Sequence, residues 1–194
     1  MPSLSVLVLS GTRPGVPDPM AQAAGVTHKA ILPVAGTPMI TRVLTTLRAT
    51  PEVGRIVVCI DQPAVLDGLL PPDISVIAAQ PEGPSASVLA GLAQLGTPLL
   101  VTTADNALLK PEWVTEFLQK CPSACDVAVA VAPEAAVLRD VPVTKRTFIR
   151  LSDLAFSGCN LFLFRTPAAC NVARLWLKVE KNRKHPLRIA WLLG

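Results

Sequence analysis

Short apolar runs alternate with amphipathic segments along this chain, and the alternation restricts the fold more than any other feature. Strands are predicted over residues 5–9, 55–60, 75–79, 98–103, 126–132, 148–151 and 160–164. Helical spacing is found after residue 38, over 88–95, from 111 onward and over 167–179. Thr37 is predicted to cap the first of these helices, with Pro38 as its first residue. Such alternation predicts the α/β fold class, with an open, mostly parallel, twisted sheet and right-handed crossovers.

The composition fits a sheet that helices cover on both faces. Hydrophobic residues make up 51% of the chain and charged residues 16%, against about 25% charged residues in a typical domain. Strands with so few charges are typical of parallel sheets that are buried on both sides. The length of 194 residues fits one domain, or one domain that lacks a small piece at its C-terminus.

Several kinds of partner and compartment are excluded by the sequence. No apolar run approaches the roughly 18 residues that span a bilayer, and no basic residue precedes the first apolar run as it would in a signal peptide. The five cysteines lack paired CxxC spacing, so we expect reduced thiols and a cytoplasmic protein. Basic residues cluster over 174–188, but this region has no nucleic-acid-binding motif, and its Trp176 and the nearby Trp191 are at apolar positions. This cluster is a solvated helix face, or it contacts an anionic acceptor or a protein partner.

Polar residues follow the predicted strands where each strand ends. The carboxyl ends of the strands in an open α/β sheet meet at one edge, so the loops after residues 9, 60, 79 and 103 should border one cleft. These loops contain Gly11, Arg13, Asp61, Gln80, Ser85, Asp105 and Asn106. The sequence therefore predicts a ligand site at this edge of the sheet.

The loop after the first strand, residues 10–15, is a candidate anion site. A glycine-containing loop between a strand and a helix presents backbone N–H groups and the positive end of the helix to an anion. Arg13 and Lys29 flank this loop and are predicted to reach the same polyphosphate. The alternatives are a tight turn without a ligand and a lysine that extends to solvent over apolar neighbours. The loop matches neither the Walker A motif nor GxGxxG.

Asp105 is the candidate metal ligand. It directly follows the apolar run 99–104, and a carboxylate at the end of a buried strand must be hydrated, capped or metal-bound. Mg²⁺ is held by one or two carboxylates together with substrate phosphates, so a nucleotide–metal site needs little more than Asp105. The alternative is an aspartate that caps a turn or helix, and that structural role is the favoured one for Asp61.

Other polar residues carry weaker signals. Ser85 lies in a segment that lacks the second glycine of the GxSxG motif, so it is predicted to cap the next helix rather than to act as a nucleophile. The amide of Gln80 has two interpretations, a contact with a base edge or a contact with the loop backbone. Gly158 permits the close approach of a backbone or ligand, and Asn160 offers both a donor and an acceptor.

In chain order, the sequence has a strand, a Gly-x-Arg loop, the segment Lys-x-x-Leu-Pro-Val-x-Gly-x-Pro-Met, a strand-terminal aspartate and a Gly-x-Asn before a late strand. This order resembles that of the MobA-like nucleotidyltransferases over essentially the whole chain, most specifically over residues 29–39. The resemblance implies a three-layer α/β/α sandwich with the GT-A-like architecture of nucleotide-diphospho-sugar transferases. It also implies Mg²⁺ as the cofactor, held by Asp105.

The resemblance further implies which residues form the site. The residues expected to bind the nucleotide are Leu9, Ser10, Gly11, Thr12, Arg13, Lys29, Gln80 and Ser85. Arg13, Lys29 and Asp105 are expected to be catalytic, and Gly158 and Asn160 to bind the acceptor. Three features depart from the family pattern: a shorter first loop, His28 in place of the usual proline, and no strand with a second metal ligand before Gly194.

The expected function is a single nucleotidyltransferase domain over residues 1–194. It would transfer a nucleoside monophosphate from a nucleoside triphosphate to a small phosphorylated acceptor and release pyrophosphate. The absent second metal ligand motivates an alternative, a nucleotide-binding or regulatory module of the same fold without chemistry. A dehydrogenase of the Rossmann type is a third alternative, although the chain lacks GxGxxG. The base, the acceptor (molybdopterin-type, sugar phosphate or other) and the oligomeric state, a homo-oligomer included, stay open.

Overall fold

A central sheet forms the middle layer of the computed structural model, which describes residues 4–12, 18–141, 143 and 145–182. The strands are β1 (Leu4–Leu9), β2 (Pro33–Val34), β3 (Thr37–Pro38), β4 (Val53–Ile60), β5 (Ser75–Ala78), β6 (Leu99–Thr103), β7 (Val127–Pro133), β8 (Ile149–Arg150) and β9 (Ala155–Phe164). The helices are α1 (Pro19–Ala23), α2 (Met39–Arg48), α3 (Pro84–Leu95), α4 (Pro111–Lys120), α5 (Glu134–Asp140) and α6 (Ala169–Lys181). Two 3₁₀ turns span Lys29–Ile31 and Pro63–Leu66. Strands β2 and β3 form a separate hairpin, so the central sheet has seven strands.

The strand order places β1 in the middle of the parallel part of the sheet. The order is β5-β4-β1-β6-β9-β7, with β8 paired to β9. Neighbours among β5, β4, β1 and β6 are parallel, whereas β9 is antiparallel to β6, β7 and β8. In the described sheet β9 alone therefore runs against the common direction. The chain changes sides of β1 between β5 and β6, and ligands bind at such a switch point, outside the carboxyl ends of the strands.

Two apolar layers cover the two faces of the sheet. Val6 and Val8 of β1 point into the layer built with α2 and α4, whereas Leu7 points into the layer built with α3 and α6. All three side chains are fully buried, as the alternation of side chains along a strand requires when both faces are covered. The predicted three-layer α/β/α sandwich with a mostly parallel sheet is confirmed.

The predicted cap of α2 is wrong. Thr37 and Pro38 form β3, and α2 begins at Met39 without a side-chain cap. The preceding Ala35 and Gly36 both have positive φ, 49° and 79°, which is typical of the two-residue turn that closes a tight hairpin. The N–H of Met39 instead donates to the carbonyl of Leu32 at 3.0 Å, so the hairpin itself holds the first turn of α2.

The elements beyond β6 differ most from the sequence prediction. The continuous apolar run 126–132 forms the predicted strand, but Val129 and Val131 of β7 are each 40% exposed because β7 pairs only with β9 on one side among the described residues. Trp113 has the helical spacing of an inward-facing residue of α4, yet it is 49% exposed. Strand β9 begins five residues before the predicted 160, and α1 and α5 were not predicted.

No helix in the described part of the chain has the length and apolarity required to cross a membrane.

Candidate active site

The loop after β1 lies over the ends of the neighbouring strands. The carbonyl of Leu9 accepts the N–H of Ala104 at 2.8 Å, and the N–H of Ser10 donates to the carbonyl of Cys59 at 2.8 Å. A Cβ on Gly11 would lie 3.1 Å from Cβ of Ala79, so this close approach to the end of β5 favours glycine. The expected cation Arg13 lies outside the described residues.

Residues 10–12, the described part of this loop, have most of their backbone donors in use. The N–H groups of Ser10 and Thr12 already donate within the protein. The N–H of Gly11 makes no hydrogen bond to another described residue. The hydroxyl of Ser10 is buried and also has no partner among the described residues. The described part of the loop, residues 10–12, therefore offers an anion one backbone donor, with the buried Ser10 hydroxyl behind it.

Asp61, at the end of β4, holds Thr12. Its Oδ1 accepts the N–H of Thr12 at 3.1 Å, and its Oδ2 accepts the Thr12 hydroxyl. Burial by itself would raise the pKa of the Asp61 carboxyl. The hydrogen bonds from Thr12 and His28 outweigh burial, so that pKa lies below its ordinary value. The structural role favoured for Asp61 from the sequence matches these contacts.

His28 is buried, with 2% of its surface exposed, and both ring nitrogens have partners. Its Nδ1 accepts the N–H of Ala30 at 3.0 Å, so in the neutral ring the proton resides on Nε2. That Nε2 lies 3.3 Å from Oδ1 of Asp61. Sequence reasoning noted His28 only as a departure from the family pattern. The available signal was a histidine, one of two in the chain, directly before the candidate lysine.

Lys29 and Asp105 meet across the switch point. Nζ of Lys29 lies 2.7 Å from Oδ2 of Asp105, and the hydroxyl of Thr103 donates to Oδ1 at 2.5 Å. The two charged side chains are 33% and 35% exposed, so solvent and ligands reach both. Burial raises the pKa of the Asp105 carboxyl, but the hydrogen bonds from Lys29 and Thr103 and the Lys29 charge lower it further, below its ordinary value. The structure thus brings the predicted cation and carboxylate together.

The middle of β9 adjoins the end of β6. Nδ2 of Asn106 donates to the carbonyl of Cys159 at 3.1 Å, and the hydroxyl of Thr102 donates to the carbonyl of Asn160 at 2.8 Å. Asn160 has a φ of 52°, and the pairing of β7 with β9 shifts register at this point. Irregularities of this kind re-aim side chains beside active sites. Asn160 therefore lies next to the segment that carries Asp105.

Gly158 faces open space on the same edge. A Cβ at this position would have no atom within 4 Å, so the predicted close approach of another backbone is absent among the described residues, and the space stays open to a ligand. The guanidinium of Arg146 donates to the carbonyl of Gly158 at 2.9 Å and to the Ser157 hydroxyl at 3.2 Å. Sequence reasoning missed Arg146, because its position depends on how the chain before β9 folds back.

The predicted capping role of Ser85 is wrong. Helix α3 begins at Pro84 after Gly83, without a side-chain cap, and the N–H of Ser85 donates to Oε2 of Glu180 on α6 at 3.2 Å. The amide of Gln80 bonds the local backbone, with Nε2 3.4 Å from the carbonyl of Ala78. The N–H of Gln80 donates to the Ser87 hydroxyl at 2.9 Å. The loop over 80–85 is thus held from both sides at the carboxyl end of β5.

Asp105 supplies the chemistry that a magnesium ion needs. The described residues contain no group of three or more His, Cys, Asp or Glu side chains that could hold a metal. Carboxylate oxygen is nonetheless the hard ligand that Mg²⁺ prefers, and nucleotide phosphates supply further oxygens when one carboxylate is present. Asp105 is accessible and ionised, so the donor set fits a metal that arrives with a nucleotide.

The fold is that of an α/β protein with a polar site at the switch point of its sheet. The family model of the MobA-like NTP transferase domain matches residues 20–190. A hypothetical transferase from Thermus thermophilus is 31% identical, with a TM-score of 0.81 over 99% of this chain and 78% of that chain. The protein therefore belongs to the MobA-like NTP transferase domain family. None of the proteins of curated function matches the sequence.

Two more distant structures share the fold. A CMP:2-keto-3-deoxy-manno-octonic acid synthetase complexed with CTP is 17% identical, with a TM-score of 0.65 over 98% of this chain and 87% of that chain. The Mycobacterium tuberculosis protein Rv0371c in complex with manganese is 15% identical, with a TM-score of 0.53 over 89% and 76%. At these identities the similarity establishes the architecture.

Proposed function

We propose that the protein transfers a nucleoside monophosphate from a nucleoside triphosphate to a small phosphorylated acceptor and releases pyrophosphate. The observation that carries the proposal is the contact between Lys29 and Asp105, 2.7 Å apart, at the switch point of the sheet. One group binds phosphate and the other binds a metal ion. A metal–triphosphate complex requires at least a cation that contacts the phosphates and a carboxylate that holds the metal, and these two side chains lie side by side.

The triphosphate would lie between the loop after β1 and Lys29. The N–H of Gly11 and Nζ of Lys29 are the groups available to its oxygens, and the buried Ser10 hydroxyl lies behind them. In the same proposal, Arg13 adds a second cation, with Leu9 and Thr12 lining the loop and Gln80 and Ser85 lying near the nucleobase. Helix α3 starts beside that position, but Glu180 already accepts the N–H of Ser85. We therefore place the phosphates at Lys29 rather than at the start of α3.

Asp105 would hold Mg²⁺ with the nucleotide phosphates, and the ion would supply charge neutralisation of the triphosphate. The complexes with CTP and with manganese among proteins of this fold support this choice of ligands. Lys29 would then leave Asp105 for the phosphates. Exchange of partners is inexpensive because ion pairs this exposed contribute about 0–1 kcal/mol.

The transfer itself would need no general base. An oxygen of the acceptor phosphate forms a bond to the α-phosphorus, the bond from that phosphorus to the bridging oxygen breaks, and pyrophosphate leaves with that electron pair. The acceptor oxygen is already anionic, so no proton must be removed. Lys29 stabilises the charge that develops on the transferred and leaving groups, and the fold holds the reactants in line.

The acceptor would lie on the β9 side of Asp105. Asn160 offers a donor and an acceptor there, and the space in front of Gly158 is open. The guanidinium of Arg146 beside Gly158 supplies positive charge, which suits a phosphorylated acceptor. These contacts support an anionic acceptor as a class.

The assembly and location of the protein follow as part of the proposal. All five cysteines are free thiols, which supports a cytoplasmic location.

Apolar side chains are exposed over 129–154, namely Val129, Val131, Leu138, Val141, Val143, Ile149, Leu151 and Leu154. Exposed apolar side chains mark protein contacts when they form a continuous surface, so this segment supports a homo-oligomer, which light scattering after size exclusion would test. We propose no nucleic-acid or membrane partner, and one domain over 1–194.

The experiment that tests this function measures pyrophosphate release. Each nucleoside triphosphate with Mg²⁺ is combined with a panel of sugar phosphates and a pterin phosphate, and thermal shifts report binding in parallel. We expect release with one class of phosphorylated acceptor and its loss in Lys29→Ala. Lys120→Ala is the matched control, because Lys120 also pairs with a carboxylate, at 2.6 Å, but on the surface of α4. Absence of both binding and release with every triphosphate would refute the proposal.

A nucleotide-binding module without chemistry is the second candidate. It is favoured by one observation, the absence of a cluster of three or more metal-ligating side chains in the described part of the chain. Thermal shifts with triphosphates but no release with any acceptor would support this candidate instead.

A further inference from the structure

Asp61 connects two segments that are distant in the sequence. Its carboxylate accepts both the N–H and the hydroxyl of Thr12, in the loop after β1. The same carboxylate lies 3.3 Å from Nε2 of His28. Because His28 directly precedes Lys29, Asp61 ties this loop to the turn that presents Lys29. We call these three side chains (Thr12, His28 and Asp61) the clamp.

His28 has a separate task at each ring nitrogen. Its Nδ1 accepts the N–H of Ala30 at 3.0 Å, which fixes the 3₁₀ turn Lys29–Ile31. Its Nε2 faces Asp61. A ring that is 2% exposed with both nitrogens bonded has one orientation. The turn and the end of β4 are therefore held relative to each other by a rigid group.

We propose that His28 and Asp61 are positioning residues that hold the loop 10–12 and the Lys29 turn in one arrangement, so that both contact the same triphosphate. This proposal rests on the proposed function. Lysine has a long, flexible side chain, and fixing its backbone reduces the ordering that binding must impose. Pre-positioned groups of this kind improve binding without touching the ligand themselves.

The clamp is separable from the core. Asp61 has a side chain that is 30% exposed, and the apolar layers consist of other residues. We therefore expect its loss to loosen the two segments while the sheet and helices stay folded.

Two substitutions at His28 separate its two bonds. His28→Asn places an amide oxygen near the position of Nδ1, so the bond from Ala30 is retained and the bond to Asp61 is lost. His28→Gln places an amide nitrogen near the position of Nε2, so the bond to Asp61 is retained. At the other end, Asp61→Ala removes the clamp, Asp61→Asn retains an acceptor oxygen, and Asp67→Ala is a control that removes a nearby exposed carboxylate.

The first measurement is amide hydrogen exchange by NMR, which requires no activity. In Asp61→Ala we expect faster exchange at Thr12 and also at Ala30, 18 residues further along the chain, because the clamp transmits the change. In His28→Asn we expect faster exchange at Thr12 although that substitution leaves Asp61 in place. Asp67→Ala should change neither amide. If Asp61→Ala fails to fold, His28→Asn decides the question alone.

The second measurement is the Kd of each ribonucleoside triphosphate with Mg²⁺, together with KM and kcat. We expect a rise in Kd and KM of about tenfold in Asp61→Ala and His28→Asn, which corresponds to about 1.4 kcal/mol, with a smaller change in kcat. Asp61→Asn and His28→Gln should recover part of the affinity.

The outcomes distinguish the clamp from the proposed function. A wild-type protein that binds no triphosphate overturns the proposed function, and with it the role of the clamp in binding. Normal wild-type turnover with unchanged Kd in Asp61→Ala and His28→Asn overturns the clamp alone. Exchange that accelerates only at Thr12 in Asp61→Ala, and nowhere in the 28–30 segment, also overturns it, because Asp61 would then be a local cap.

Discussion

Lys29 and Asp105 lie 76 residues apart in the sequence, yet Nζ of the one is 2.7 Å from Oδ2 of the other. The two groups to which the proposed function assigns the phosphates and the metal ion thus pair with each other in this structure. Each is about one-third exposed, so the pair is weak and can open. The fold keeps both charges at the switch point, where a nucleotide can replace one partner for each.

Removal of either charge should abolish most of the activity. We expect Lys29→Ala and Asp105→Ala each to slow turnover by about 100-fold or more, the magnitude found when one group aimed at developing charge is deleted. Steady-state pyrophosphate release measures the effect. Lys120→Ala and Glu116→Ala, which break an ion pair on α4, should retain full activity. Full activity in both site variants would exclude this mechanism.

Two glycine substitutions should distinguish the triphosphate site from the acceptor site through the KM of each substrate. Gly11→Ala places a Cβ 3.1 Å from Cβ of Ala79, which must displace the loop, so we expect a higher KM for the triphosphate. Gly158→Ala meets no atom within 4 Å and should fold normally, but its methyl group occupies the proposed acceptor space. Its KM for the acceptor should rise while the KM for the triphosphate stays unchanged. If Gly158→Ala instead raises the KM for the triphosphate and leaves the KM for the acceptor unchanged, the acceptor binds elsewhere.

Metal removal should stop the reaction without unfolding the protein. EDTA is expected to reduce pyrophosphate release to background, because Asp105 and the phosphates lose their shared ion. Added Mg²⁺ should restore release, and circular dichroism should be unchanged throughout. Turnover that persists in EDTA after extensive dialysis would argue against a metal at Asp105.

Acid should destabilise the native protein through Asp61 and Asp105. The pKa of each carboxyl is lower in the folded protein than its ordinary value of 3.8. Their contribution to stability is thus fully present above that value and is lost as the pH falls through the lower native pKa. Urea unfolding between pH 7 and pH 3 should show the free energy of unfolding fall below about pH 4.

The control for this acid effect replaces the two carboxylates with amides, which carry no charge. Asp61→Asn combined with Asp105→Asn should flatten the acid part of the curve, because neither amide titrates. Asp67→Asn, which removes an exposed carboxylate and leaves Asp61 and Asp105 in place, should retain the acid slope. Identical acid slopes in the double variant and the wild type would contradict the assignment.

The buried parallel strands could be predicted from the sequence because their signal is local. Strands β1, β4 and β6 are apolar runs between clear breaks, and their predicted positions agree with the structure within two residues. The hairpin of β2 and β3 was missed because two-residue strands have no periodicity to detect. The exposure along β7 could not be predicted, since an apolar run does not show whether its strand lies in the middle or at the edge of a sheet.

The sequence by itself determined the class of fold and the edge of the sheet where polar residues gather, because side-chain alternation and strand ends follow from local order. The resemblance to the MobA-like nucleotidyltransferases also implied that Lys29 and Asp105 belong to one site. The tertiary structure alone decided that His28 bonds Asp61, that Glu180 and not Ser85 supplies the bond at the start of α3, and that Arg146 lies beside Gly158. The physical reason is direction: a hydrogen bond depends on where two side chains point in space, and sequence separation does not encode that.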